Sequence, residues 1–181
     1  MIYLFLADGF EEAEALVPLD ILRRAEIEVK TVGISKKTVT GTHNIPVTAD
    51  LIDSEICLDE LDGVILPGGM PGTLNLEKSD TVQSAIDYAA RNSLLISAIC
   101  AAPSILGHKG LLENKIATCF TGFEKDLTGA NLSSLPVVTD ENIITAYGAG
   151  AAFPFGFAIL EYLKGKEFAT KLKKSMRYIG E

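Results

Sequence analysis

Short apolar runs recur along the chain, and most of them are separated by segments of helical periodicity. Residues 1–7, 63–66 and 94–99 are almost wholly apolar, the mark of strands buried on both faces. Residues 28–34, 115–118 and 143–146 read as further strands. Residues 11–25, 81–91, 101–107 and 151–164 carry helix-forming patterns, and 165–175 continues as a helix after Gly165. Residues 38–49, with turn signals at Gly41 and Asn44, read as a β-excursion. This alternation predicts an α/β fold, a mostly parallel sheet with helices on both faces and right-handed crossovers. The 181 residues suit one domain, 1–181.

In such sheets ligands sit outside the carboxyl ends of the strands. Three predicted strand ends carry unusual residues: Asp8-Gly9-Phe10-Glu11-Glu12-Ala13-Glu14, Pro67-Gly68-Gly69-Met70-Pro71-Gly72 and Ile99-Cys100-Ala101-Ala102-Pro103. The predicted fold places all three on one rim. Between the strand at 94–99 and the helix at 101–107 there is no polar loop, so Cys100 occupies the turn itself. Its small neighbours Ala98, Ala101 and Ala102 fit a cramped nucleophile elbow. A helix start at that point predicts a depressed thiol pKa and a reactive thiolate. The competing reading of Cys100 is a buried structural cysteine. That plainer reading is the one given to Cys57, whose surroundings have no turn chemistry.

Glu11, Glu12 and Glu14 crowd the first turn of the first helix, where acids complement the dipole. Glu14 stands apart, because Pro18 has no N–H to offer the carbonyl of residue 14 and a bend is expected there. A carboxyl beside the thiol has a raised pKa and can move protons as general acid and base. Gly68 and Gly69 permit close backbone approach, and the N–H groups of Gly69 and Ala101 form a candidate oxyanion hole. Gly148-Ala149-Gly150 is a second, weaker anion-facing start.

Composition then narrows the function. A net charge of −8 argues against nucleic-acid binding. No apolar run spans a bilayer, and residues 1–7 lack a basic n-region, so neither membrane insertion nor a signal peptide is expected and the cytoplasm is the expected compartment. Three widely spaced cysteines without a CxxC pair predict free thiols and no metal site. No GxGxxG or Walker loop is present, and no cofactor is expected.

Taken together, Ala7 to Glu14, Pro18-Leu19-Asp20-Ile21-Leu22-Arg23-Arg24-Ala25, Leu66-Pro67-Gly68-Gly69, Ala98-Ile99-Cys100-Ala101-Ala102-Pro103 and Gly165-Lys166-Glu167 resemble the ThiJ/PfpI superfamily, nearest its branch of parkinsonism-associated deglycases and their bacterial relatives. The similarity runs nearly end to end. It implies a flavodoxin-like three-layer sandwich and a homodimer. It implies that Cys100 is the family's easily oxidised cysteine and Glu14 the protonated glutamate against it, with Gly69 facing the site and Arg24 near the dimer interface and pocket. The chain departs from the pattern at Cys119, where that branch often has histidine, and at His43, where it has an arginine; His43 is a surface histidine or one that reaches a partner's site. The peptidase branch has a histidine where this chain has Ala101, which disfavours proteolysis. His108 reads as ordinary chemistry at a helix C-terminus.

Three functions compete. The first is a glutathione-independent glyoxalase or deglycase acting on methylglyoxal-like α-oxoaldehydes or glycated adducts. The second is a redox sensor or stress chaperone using Cys100 oxidation. The third, a cysteine peptidase, needs a histidine within reach of Cys100.

Overall fold

The apolar runs become a seven-stranded sheet in the computed structural model, which describes residues 1–180. β1 (Ile2–Leu6) leads into α1 (Glu12–Arg24) and β2 (Val29–Gly33). β3 (Thr38–Thr40) and β4 (Pro46–Thr48) pair antiparallel as a separate hairpin, and β5 (Leu51–Ile52) then joins the edge of the main sheet. β6 (Gly63–Leu66), α2 (Gly72–Glu77), α3 (Asp80–Arg91), β7 (Leu95–Ile99) and α4 (Pro103–His108) follow. β8 (Ile116–Ala117) and β9 (Asn131–Leu132) form a small sheet of their own. β10 (Val137–Asp140), β11 (Ile143–Ala146), α5 (Ala152–Lys164) and α6 (Lys166–Ser175) complete the described chain.

The main sheet runs β10-β11-β7-β6-β1-β2-β5. Every pairing in it is parallel except that of the edge strand β10 with β11. This is the flavodoxin-like sandwich that the sequence resemblance implies. Its two cores lie on opposite faces. Ile2, Leu4 and Leu6 of β1 meet Ile21 and Leu22 of α1 and Phe155 and Ile159 of α5, whereas Tyr3 and Phe5 meet the face that carries Val82, Ile86 and Ile105. Alternate residues of one strand therefore feed opposite cores. Each fully buried Leu, Ile or Phe contributes about 1.5–3 kcal/mol of transfer free energy.

Local chemistry fixes the element ends. Ser79 caps α3 by accepting from the Val82 N–H at 3.4 Å. α1 runs on through Pro18, so the proline does not end the helix. Gly156 of α5 lies against it: a Cβ there would meet Pro18 Cα at 2.9 Å.

Two expectations change. The predicted strand at 115–118 pairs outside the main sheet, and the predicted helix at 101–107 begins only at Pro103. Because β1, β6 and β7 are parallel neighbours, their three carboxyl ends do share one rim.

Candidate active site

Cys100 follows the last residue of β7 with φ +67°, a left-handed conformation that costs a β-carbon-bearing residue about 1–3 kcal/mol. Two backbone bonds hold it there. The Cys100 N–H donates to the Ala146 carbonyl at 2.8 Å, and its carbonyl accepts from the Phe120 N–H at 2.8 Å. The elbow thus hangs between β11 and the segment after β8, and projects a half-buried thiol into the rim.

Glu14 approaches from the first turn of α1 and is 1% exposed. Its Oε2 accepts from the Gly68 N–H at 2.9 Å. Gly68 separates the two reactive side chains: a Cβ added there would lie 2.6 Å from Cys100 Cβ and 2.6 Å from Glu14 Oε2. The absence of a side chain at Gly68 is what lets thiol and carboxyl meet. The loops around them are tied together by backbone bonds. The Glu11 N–H donates to the Gly68 carbonyl at 3.0 Å, Gly72 N–H to Gly9 at 3.1 Å, and Gly9 N–H to Thr40 of the hairpin at 2.8 Å. Gly69, at φ +91°, packs directly against the β1–α1 loop.

The pair's electrostatics follow from this crowding. Burial pushes Glu14 up to about 7; hydrogen bonds from Cys100 and Gly68 oppose the rise and the charge of Glu11 adds to it. Burial, then the charge of Glu14 and its hydrogen bond, push the Cys100 thiol up to about 12, against hydrogen bonds from the Ala101 and Gly69 N–H groups. The expected depression of the thiol by a helix start is therefore not met. α4 begins three residues beyond the sulfur and is six residues long, and an anionic neighbour outweighs it. Between these two steps the pair holds one proton, since two negative charges in one desolvated site repel. The two N–H groups that oppose the rise of the thiol belong to Gly69 and Ala101, the residues that the sequence offers as oxyanion donors.

The remaining candidates are dispersed. Arg24 sits ten residues beyond Glu14, about 15 Å along the helix, and pairs with Asp20 at 2.7 Å on the exposed surface. Within the chain it does not reach Cys100. His43 lies at the hairpin tip, where Nδ1 is 2.8 Å from Glu12 Oε2 and 3.7 Å from Glu11 Oε1. Burial works against Glu12, yet the His43 ring and N–H and the Thr42 hydroxyl hold its carboxyl down at about 2. His108 ends α4 and pairs with Glu77 at 2.6 Å. Cys119 is buried and pushed up to about 11 by burial, then by Glu124 and Asp126. It immediately precedes Phe120, whose N–H holds the elbow. Cys57 is exposed, and its backbone binds the Tyr3 hydroxyl.

Sequence reasoning missed the Phe120 and Ala146 backbone groups that support Cys100. They act through main-chain atoms every residue has, so no side chain advertised them. It also missed the clamp of Glu12 on His43 and Thr42.

Comparison with known proteins gives a consistent result. The model of the DJ-1/PfpI family matches residues 1–162. The chain is 32% identical to Protein dj-1beta of Drosophila melanogaster over 174 residues, covering 94% of this chain and 93% of the relative. It is 29% identical to the glutathione-independent glyoxalase DJR-1.2 of Caenorhabditis elegans, over 92% of this chain and 89% of that protein. Among solved structures, a cysteine-to-alanine mutant of a DJ-1 superfamily protein from Salmonella typhimurium superposes with TM-score 0.92 at 33% identity, covering 99% of this chain and 98% of the other. Oxidized DJ-1 of Toxoplasma gondii gives TM-score 0.93 at 28% identity, with the same coverage.

Proposed function

The chain belongs to the DJ-1/PfpI family, and from that premise we propose that it is a cysteine-dependent glyoxalase or deglycase acting on α-oxoaldehydes or their adducts. The observation that carries this reading is the meeting of Cys100 and Glu14 across Gly68. The glyoxalase name borne by the Caenorhabditis elegans relative supports it.

With methylglyoxal the steps balance without a cofactor. The Cys100 sulfur adds to the aldehyde carbon while its proton passes to the carbonyl oxygen through Glu14, giving a hemithioacetal. The Gly69 and Ala101 N–H groups stabilise the oxygen as charge builds on it. Glu14 carboxylate then takes the proton from the former aldehyde carbon and delivers it to the adjacent carbon, while the hemithioacetal hydroxyl gives its proton to the adjacent carbonyl oxygen, which becomes the hydroxyl of the product. The result is a lactoyl thioester. Water hydrolyses it to lactate and regenerates the thiol. A group that titrates near 7 is matched to this double duty. For a glycated adduct the same attack would release the amine. Cys100→Ala should abolish conversion of methylglyoxal to lactate, followed by loss of the aldehyde; full turnover in that variant would remove the proposal.

Oxidation is a second use of the same sulfur, favoured by the two N–H groups aimed at it. Two equivalents of hydrogen peroxide would give sulfinate and two waters, the sulfinate oxygens taking those donors and a protonated Glu14. Mass spectrometry after mild peroxide reads this as two added oxygens at Cys100 with Cys57 and Cys119 unchanged. Peptidase chemistry has no support, because His43 and His108 are engaged with Glu12 and Glu77. We also propose a cytoplasmic homodimer, and light scattering at twice the monomer mass tests the assembly. No helix among the described residues is long and apolar enough to cross a membrane.

A further inference from the structure

Beside the elbow, on the side of Phe120 and Ala146, lies a cleft of about 530 Å³. Cys119 and Tyr147 line it, and each is the chain neighbour of a residue that hydrogen-bonds the Cys100 backbone. The cleft therefore adjoins the thiol turn through main-chain contacts on both sides.

Its chemistry is specific. Five of its residues carry hydroxyls: Thr118, Thr121, Ser133, Ser134 and Tyr147. Glu124 adds a carboxylate, of which Oε2 accepts from the Gly122 N–H at 2.7 Å. No lysine or arginine lines the cleft. An anionic ligand such as a sugar phosphate or an oxo-acid would face Glu124 with no cation to offset it. A hydroxylated neutral chain finds both donors and acceptors, and the Tyr147 ring, 40% exposed, offers an apolar face for its carbons. Size points the same way. Methylglyoxal has five heavy atoms, and at a share of about 30 Å³ each, the volume one water takes in the liquid, it leaves most of the cleft unfilled.

We infer that this cleft holds the hydroxylated chain of a neutral, sugar-derived α-oxoaldehyde of five or six carbons while its aldehyde meets Cys100. The inference rests on the aldehyde-processing reading above and names the substrate class of that site. Differential binding of the chain at the transition state then sets preference for long substrates over methylglyoxal.

The experiment compares kcat/KM for 3-deoxyglucosone, a neutral six-carbon α-oxoaldehyde, with that for methylglyoxal, in the wild type and in Ser133→Leu, which fills the cleft. The expected result is a ratio favouring the six-carbon substrate, falling about tenfold in the variant, the scale of discrimination that one pocket group supplies. Thr121→Leu repeats the test should Ser133→Leu fail to fold. A ratio indifferent to both substitutions overturns the inference while leaving aldehyde turnover intact. Should the wild type process neither aldehyde, the activity reading fails first, and titration of the 15N-labelled protein with sorbitol decides the cleft separately. Amide shifts confined to residues 118–121, 133–134 and 147 support it; shifts elsewhere, or none, overturn it.

Discussion

Gly68 decides whether the site exists. Its missing side chain is the space in which Cys100 and Glu14 face each other, and its N–H is a fixed donor to the carboxylate. Gly68→Ala should therefore cut methylglyoxal turnover by about a hundredfold or more, the scale of misplacing a catalytic group by an ångström. The steady-state rate checks this, with the fold confirmed by circular dichroism; unchanged turnover would mean that the two side chains do not act together. The strained turn at Cys100 was legible in the sequence because small residues surround a strand-to-helix junction, and Glu14 was singled out by the proline four residues after it and by the family resemblance. The charge state was not. A helix start was expected to ionise the thiol, but the burial and the anionic neighbour that oppose it involve Gly68 and Glu14, which lie 32 and 86 positions before Cys100 in the sequence and reach it only through the sheet order. Arg24 illustrates the same limit. The resemblance puts it near a dimer interface and pocket, and within one chain it stands at the far end of α1, paired with Asp20.

At the scale of elements, α1 is positioned by its contact with α5. Gly156 packs on Pro18, and a Cβ there would also come within 2.7 Å of Ile21 Cδ1. Gly156→Ala gains about 1 kcal/mol of helix propensity. It also forces a backbone atom of Pro18 or the whole helix to move, which costs typically 1–3 kcal/mol in a packed core. The net expectation is a loss of about 1 kcal/mol in urea unfolding, together with slower turnover, because α1 carries Glu14. A stabilised variant would contradict this packing account. The buried strands β1, β6 and β7 were readable from almost wholly apolar runs. α2 and β10 were not. α2 is a six-residue helix that opens on Gly72, and β10 is an edge strand whose inward positions alternate with exposed ones, so neither gives a long periodic signal.

For the molecule as a whole, the raised Glu14 makes stability pH-dependent. A carboxyl at about 7 in the fold and 4.5 when unfolded binds its proton more tightly in the native state. Its contribution is complete below pH 4.5 and is lost as pH rises through 7, by about 3 kcal/mol at roughly 1.4 kcal/mol per unit. Glu12, held at about 2, works in the opposite sense: its contribution is present above pH 4.5 and is lost as pH falls through 2. Chemical denaturation at pH 5 and pH 8 should show the wild type losing stability on going to pH 8 relative to Glu14→Gln. Equal changes in the two proteins would place the Glu14 titration elsewhere.

The rate of Cys100 alkylation by iodoacetamide, measured from pH 5 to 10 in the wild type and in Glu14→Gln, tests the shared proton most directly. The wild type should show a step near pH 7, where the first proton leaves the pair, and a plateau beyond it. In Glu14→Gln that step should vanish, leaving a single thiol titration below 12. A step near pH 7 that survives the loss of the Glu14 carboxyl would contradict the coupling of these two groups.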